Sequence, residues 1–145
     1  MNITIQIVLT AIITILVVQT IKLTTDGIKG NFNLKGILSV YGGMPSSHTA
    51  TVTSLTTLVG YYAGVDSIAF GISIIFSAII IVDAMKFRGF VDENSKVLKM
   101  IVDNHPELAN EGLNPVSTKL QHTPLQVLIG GIIGFAIGAL SYYIF

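Results

Sequence analysis

Four apolar stretches alternate with polar segments along the chain. A membrane-spanning helix needs roughly 20 apolar residues, and the first and fourth stretches reach that length unaided. The second and third are shorter and need flanking polar residues to complete a span, with a tight turn predicted at 64–66 between them. We therefore predict an all-α, polytopic membrane helix bundle that forms one domain, 1–145. Its four transmembrane helices lie at about 3–22, 46–64, 66–85 and 124–145.

Two polar connections, 23–45 and 86–123, separate the outer spans from the central pair. Within the longer one, four apolar residues recur at helical spacing, which predicts a short amphipathic helix on the cytosolic membrane surface. Either Asp92 or Asn94 is available as its N-cap. The four apolar positions are Val97, Leu98, Ile101 and Val102.

Composition strengthens the membrane assignment. Only 11% of the residues are charged, whereas a soluble domain carries roughly 25%. The alternative, a buried helical core in a soluble protein, leaves too few charges to cover a surface. The net charge of zero gives no indication of nucleic-acid binding. The absence of cysteine excludes disulfides, thiolate metal sites and cysteine nucleophiles.

The basic residues are confined to the first and third connections and the helix ends beside them. With four spans, these two connections lie on one side of the membrane. The positive-inside rule makes that side the cytosol and places both termini outside a cell membrane. The eight basic residues are Lys22, Lys29, Lys35, Lys86, Arg88, Lys96, Lys99 and Lys119.

Segment 42–48, Gly-Gly-Met-Pro-Ser-Ser-His, has the features of an anion site at a helix start. Glycine lets the backbone approach a ligand closely, and Pro45 suits the first helical position. The amides of Ser46 and Ser47 would then lack intrahelical partners and point at an anion. His48 follows, where it could protonate a leaving group. The alternative is a capped helix start with an incidental histidine.

His122 stands before a second helix start, where Thr123 suits the N-cap and Pro124 the first helical position. The second and fourth spans both begin on the cytosolic side. We therefore expect His48 and His122 to lie about 5 to 8 Å apart, on opposite sides of one phosphorus. The alternative for His122 is a solvated side chain at the interface.

Nearby charges complete the candidate site. Lys22 and Lys29 flank the cytosolic end of the first span, and Arg88 follows the third. Positive-inside topology and snorkelling are the alternative for each cation. Asp83 lies in an otherwise apolar helix, and an acid within a membrane helix indicates a functional site. We expect it to contact His122, Arg88 or both, with a purely structural pair with Arg88 as the alternative.

Segment 43–50, Gly-Met-Pro-Ser-Ser-His-Thr-Ala, resembles the central motif of the type 2 phosphatidic acid phosphatase superfamily, and most closely its small divergent bacterial branch. The resemblance continues through Asp83 with Arg88, and through His122-Thr123-Pro124 with Val127. It spans the chain from Lys22 to about Gly131.

The sequence departs from the motifs of the larger superfamily at four places, the first being Ser47, where the superfamily has glycine. Lys29 stands seven residues after Lys22, where the superfamily has arginine. Val116 occupies the place of an arginine six residues before the motif histidine, and Gln126 the place of a carboxylate four residues after it. Arg88 and Asp83 are our candidates to supply those two roles from the third span.

The resemblance implies metal-independent hydrolysis of a phosphomonoester through a phosphohistidine, with no cofactor. His122 would attack phosphorus, His48 would protonate the alkoxide, and Asp83 would orient one histidine. The substrate class would be phosphatidylglycerophosphate or phosphatidic acid at the cytosolic face, or an isoprenoid phosphate. The phosphate-binding set would be Lys22, Lys29, Gly43, Ser46, Ser47 and Arg88.

Two other functions stay open. A non-catalytic relative could bind lipid phosphate without hydrolysis, because two motif residues are replaced. A transporter could line a polar path with the threonine-rich second span, although hydrogen bonding between helices is the commoner use of such threonines. Those threonines are Thr49, Thr51, Thr53, Thr56 and Thr57.

The fourth span carries a stripe of small residues, Gly130, Gly134 and Gly138, which lets two helix backbones approach closely. The partner is either a helix of the same chain or a second copy in a homodimer. We favour the homodimer, because four spans leave much of the site wall unbuilt. The other expected partners are the lipid-phosphate substrate and membrane lipids.

Overall fold

A computed structural model describes residues 2–25, 43–105, 107 and 121–145, and within them the protein is helical with no strand. The predicted all-α class is confirmed. A π-helical segment, Asp83–Phe87, joins the third and fourth helices without a break. Lys29, Lys35, Lys119 and Val116 lie outside the described residues. The helices are α1 Ile3–Thr25, α2 Ser47–Ala63, α3 Ile68–Val82, α4 Arg88–Asn104 and α5 Pro124–Ile144.

In the part of the chain that the structure describes, three helical stretches are long and apolar enough to cross a membrane, namely Ile3–Thr24, Ile68–Asn104 and Pro124–Ile144. The helix predicted as the second of four spans, α2, has 17 residues, fewer than the roughly 20 of a typical crossing. It carries many hydroxyl side chains and packs against α1, α3 and α5. Helices α2 and α3 are separated by the predicted tight turn, in which Gly64 has a φ of +88°.

The glycine stripe of α5 packs inside the chain, against the backbone of α2. A Cβ atom added at Gly130, Gly134 or Gly138 would lie 2.5, 2.2 or 2.6 Å from a carbonyl oxygen of α2. Such contacts leave no room for a side chain, so glycine is what allows α2 and α5 to touch. The expectation that this stripe joins two copies of the chain is therefore wrong, because α2 already covers it.

Buried polar side chains join α1 to α2 and α5. Gln6 donates from Nε2 to the carbonyl of Ser141 at 2.8 Å, and the hydroxyls of Thr10 and Ser141 are hydrogen-bonded. Thr14 donates to Ser54 Oγ at 3.1 Å. In an apolar surrounding, hydrogen bonds between helices satisfy groups that would otherwise be unpaired. They hold α1 against the α2–α5 pair.

The residues expected to form a separate surface helix instead continue the third span. Helices α3 and α4 and the π-helical segment make one helix of 37 residues, Ile68–Asn104. At about 1.5 Å per residue it is longer than the roughly 30 Å thickness of a bilayer core. Asp92 and Asn94 lie inside this helix, so the prediction of either as an N-cap is wrong. The carboxylate of Asp92 instead accepts the amide of Gln121 at 2.8 Å.

Candidate functional site

The start of α2 differs from its predicted form by two residues. Gly43 has a φ of +78°, a conformation that favours glycine, and the Met44–Pro45 peptide bond is cis. Ser46 is the N-cap and Ser47 the first helical residue. Pro45 therefore precedes the cap instead of occupying the first helical position, and the first turn of the helix begins at Ser47.

The amide and the hydroxyl oxygen of Ser46 both make structural contacts. Its amide donates to the carbonyl of Gln126 at 3.0 Å, and its hydroxyl accepts from the amide and hydroxyl of Thr49 at 3.4 and 3.1 Å. The prediction that the Ser46 amide is open to an anion is therefore wrong. The residue ties α2 to α5, because its amide bonds to the other helix.

The unpaired donors lie one residue later. Within the described residues, the amides of Ser47 and His48 have no hydrogen-bond acceptor, as expected in the first turn of a helix. The hydroxyl of Ser47 and Nδ1 of His48 are buried and also have no partner there. Buried polar groups are normally paired, so this cluster has unused capacity to bind a polar ligand.

His122 is held against the π-helical segment by the backbone. Its amide donates to the carbonyl of Ala84 at 3.1 Å. The side chain of the preceding residue, Gln121, donates to the carbonyl of Met85 at 2.9 Å, and its amide to Asp92. Gly89 makes room for this contact, since a Cβ there would lie 2.9 Å from the Gln121 amide nitrogen. The approach to α5 is thus fastened to the third span.

The predicted start of α5 is confirmed, with Thr123 as N-cap and Pro124 in the first turn. A capping box closes it. Oε1 of Gln126 accepts the amide of Thr123 at 2.9 Å, and the Gln126 amide donates to the Thr123 hydroxyl at 3.4 Å. These contacts pair the amides of Thr123 and Gln126, and Pro124 has no N–H, so α5 presents fewer open donors at its start than α2 does.

The same Gln126 oxygen lies 3.3 Å from Nδ1 of His122. Because it also accepts the Thr123 amide, the atom is the oxygen of the side-chain amide and not its nitrogen. Nδ1 must then be the donor, and in the neutral ring the lone pair is on Nε2.

The His122 ring is only 2% exposed. Burial lowers the pKa of His122 below its ordinary value and is the largest influence on it. The hydrogen bond to Gln126 opposes this effect. The charges of Lys22 and Arg88 lower the pKa further, and a backbone hydrogen bond with Gly43 raises it. The net effect favours a neutral imidazole at neutral pH.

His48 is bound by an arginine. Nη2 of Arg88 lies 3.0 Å from Nε2 of His48, and because guanidinium only donates, Nε2 accepts. The other side of the guanidinium contacts Asp83, with Nε 3.5 Å from Oδ2. The predicted contact between Asp83 and Arg88 is confirmed. Asp83 reaches His48 through Arg88, and its side chain is 48% exposed.

The two histidines lie close together, as predicted. Their ring centroids are 6.1 Å apart, with ring planes tilted by 55°. Lys22, at the end of α1, is 4% exposed, and its charge acts on both imidazoles, as does that of Arg88. One end of the bundle thus combines two imidazoles, two cations and the open start of α2.

Two features of this site were not anticipated from the sequence. One is the contact of Gln126 with His122, although the Thr-x-x-Gln spacing from Thr123 is a recognised capping signal that could have indicated it. The other is the π-helical segment, whose carbonyls position His122 and which has no comparable signal in the sequence. Among the described residues, no three His, Asp or Glu side chains are grouped so as to hold a metal ion.

The threonine-rich face of α2 lines part of a groove of about 590 Å³ between α2, α3 and α5. Thr56 is hydrogen-bonded to Ser77 of α3 at 2.8 Å, and Thr57 donates to the carbonyl of Thr53 at 2.8 Å. These hydroxyls join or brace helices. Neither histidine lines the groove. The hydrogen bonds favour a packing role for the threonines over a polar path.

Comparison with known proteins identifies the family of this chain. The Divergent PAP2 family matches residues 3–137. The uncharacterized membrane protein YuiD of Bacillus subtilis is 30% identical over an alignment of 148 positions that covers 94% of each chain. No solved structure matches. The match covers both histidine motifs, and the protein is a membrane protein that belongs to the Divergent PAP2 family.

Proposed function

We propose that this protein is a membrane phosphatase that hydrolyses the phosphomonoester of a lipid phosphate through a phosphohistidine. The observation that carries the proposal is the 6.1 Å separation of His48 and His122 beside Arg88. Two imidazoles at this distance can reach opposite sides of one phosphorus. Membership of the Divergent PAP2 family supports the same chemistry.

The phosphate dianion binds at the start of α2. The amides of Ser47 and His48 and the Ser47 hydroxyl are donors without acceptors among the described residues, and the helix end carries partial positive charge. Lys22 and Arg88 supply two full charges. Gly43 brings the backbone close, and Lys29 is a further candidate from the connection after α1.

The reaction proceeds in two displacements. In the first, Nε2 of His122 bonds to phosphorus, the ester P–O bond breaks, and the leaving oxygen takes a proton from His48. In the second, water attacks phosphorus and gives its proton to His48. The P–N bond then breaks, which releases inorganic phosphate and restores His122. The cations stabilise the charge that develops on the phosphoryl oxygens.

Arg88 links substrate binding to the protonation state of His48. In the structure its guanidinium donates to Nε2 of His48. Nε2 therefore carries no proton. A bound phosphate offers Arg88 stronger, charged acceptors, and its negative charge favours a protonated imidazole. Asp83 acts on this exchange through Arg88, which makes it a positioning residue instead of a direct partner of His122.

The site faces the cytosol in this proposal, and α2 crosses the membrane as the second of four spans. All the described Lys and Arg residues belong to the end of α1, the π-helical segment or α4. Tyr61, Tyr62, Tyr142 and Tyr143 cluster at the opposite end of the bundle, which suits the outer interface. Substrates would be lipid phosphates of the inner leaflet, of the phosphatidylglycerophosphate or phosphatidic acid class, or an isoprenoid phosphate.

The test is phosphate release by the purified protein from a panel of these lipids, with and without EDTA. We expect release that EDTA does not inhibit, and an acid-labile phosphoryl-enzyme that is absent from His122→Ala. Phosphoryl-enzyme formation in His122→Ala would overturn the assignment of the nucleophile. No release from any lipid phosphate would overturn the enzymatic function.

Non-catalytic binding of lipid phosphate is the second candidate, favoured by one observation. A neutral amide, Gln126, contacts His122 where the resembled superfamily has a carboxylate. A binding protein would retain lipid phosphate in equilibrium dialysis and release no inorganic phosphate. The panel above therefore separates the two functions.

A further inference from the structure

We propose that Gln126 is the positioning residue for His122, an inference that rests on the phosphatase function proposed above. Its side-chain oxygen would select the tautomer and orientation in which Nε2 of His122 can attack phosphorus. In the superfamily that this chain resembles, a carboxylate has this role. From the sequence we had expected Asp83 to supply it.

The side-chain amide of Gln126 has one possible orientation. Oε1 accepts the Thr123 amide at 2.9 Å and lies 3.3 Å from Nδ1 of His122. A flipped amide would place its NH₂ group against the Thr123 N–H, where two donors would face each other. The oxygen is therefore held toward Nδ1, and the proton of the neutral ring is held there too.

The backbone of Gln126 is also bonded to the start of α2. The Gln126 carbonyl accepts the amide of Ser46, the N-cap of α2, at 3.0 Å. His48 follows Ser46 by two residues. Gln126 thus contacts the His122 ring with its side chain and the start of the His48 helix with its main chain. One residue links the two parts of the site that must lie at a set distance.

The positive charge of the site also favours a neutral partner for His122. A carboxylate beside Nδ1 would stabilise the imidazolium form and neutralise part of the field of Lys22 and Arg88. An amide orients the ring by the same hydrogen bond and adds no charge. His122 then stays neutral and nucleophilic, and no added negative charge offsets the charges of Lys22 and Arg88.

The experiment compares Gln126→Leu, Gln126→Glu and a matched control, Thr123→Ala. Thr123→Ala breaks the capping box but leaves the Gln126 oxygen on His122, so we expect turnover within about twofold of wild type. Gln126→Leu should lower kcat by roughly 100-fold or more, because loss of an orienting partner allows the wrong tautomer. Gln126→Glu should retain turnover and move the acid limb of its pH profile to higher pH, because the carboxylate raises the pKa of His122.

A readout independent of turnover is the ¹⁵N spectrum of the imidazoles, which is tractable because the chain has three histidines. In wild type we expect His122 to carry its proton on Nδ1, and in Gln126→Leu a mixture of tautomers. Wild-type turnover, pH profile and tautomer in Gln126→Leu would overturn this inference and leave the phosphatase proposal intact. A wild-type protein that hydrolyses no lipid phosphate would instead overturn the phosphatase proposal, and the spectrum would still test the hydrogen bond.

Discussion

The imidazoles of His48 and His122 lie 6.1 Å apart although 74 positions separate them in the chain. Each ring is attached close to a helix start, and the two starts are joined by the hydrogen bond from Ser46 to Gln126. Reacting atoms approach to about 3 to 3.5 Å before bond formation. A phosphorus between the rings is therefore within reach of both, one as nucleophile and the other as acid.

Substitutions of the two histidines should affect the hydrolysis of alkyl and aryl phosphates differently. His48→Asn should slow hydrolysis of an alkyl phosphate by about 100- to 10,000-fold, the usual contribution of a general acid. The loss should be much smaller with an aryl phosphate, whose leaving group departs without a proton. His122→Asn should abolish turnover of both esters. His105→Asn, an exposed residue paired with Glu107, is the control; equal losses for both esters in His48→Asn would argue against the acid role.

Arg88 and Asp83 should act as a unit. Arg88→Lys retains the charge but cannot reach His48 and Asp83 with the same planar group, so kcat/KM should fall at least tenfold. Asp83→Asn should reduce it by only about two- to fivefold, as expected for a long, half-exposed ion pair. In a double-mutant cycle the Asp83 effect should vanish in the Arg88→Lys background. Additive losses would show that Asp83 acts independently of Arg88.

The pH dependence follows from the lowered pKa of His122. Protonation removes the nucleophile, so kcat/KM should fall with decreasing pH along a limb below about 6.5, the ordinary histidine value. The unfolded chain takes up this proton at higher pH than the folded protein. Stability should therefore be full above about 6.5 and decline as the pH falls below it. Denaturation at several pH values should show that His122→Ala reduces this decline; an unchanged decline would assign it to other groups.

The glycine stripe offers a matched pair of substitutions for stability. In Gly134→Ala the new Cβ would lie 2.2 Å from the carbonyl oxygen of Ala50, so α2 and α5 must separate. We expect a loss of about 1 to 3 kcal/mol or more. In Gly131→Ala the nearest atom is 3.8 Å away, and the gain in helix propensity should make this variant neutral or slightly stabilising. Thermal unfolding in detergent measures both; equal destabilisation would contradict the packing.

The membrane orientation can be tested on a natural cysteine-free background. Asp66→Cys lies in the turn between α2 and α3, and Lys96→Cys lies in α4 beyond the candidate site. The confinement of basic residues predicts that an impermeant thiol reagent applied to intact cells labels position 66 and not position 96. Labelling of position 96 alone would invert the topology, and labelling of both would refute the crossing of α3.

The sequence by itself determined the all-helical class of this protein and the residue types of its site. Apolar runs of sufficient length must form helices in a membrane, where every backbone group needs an internal partner. Thr123 and Pro124 mark a helix start because of local backbone chemistry, and the placement of His48 and His122 beside two helix starts on one face predicted their proximity.

The tertiary structure alone decided which groups meet. Periodicity shows that the face with Gly134 allows close approach, but not whether α2 or a second copy fills it. Local pattern left the Ser46 amide open, and only the approach of α5 brought the Gln126 carbonyl to it. Gln126 likewise contacts His122, a contact that we had expected of Asp83, because the capping box turns the Gln126 side chain toward the ring. Hydrogen-bond partners are chosen by the packing of distant segments, which short-range sequence preferences do not specify.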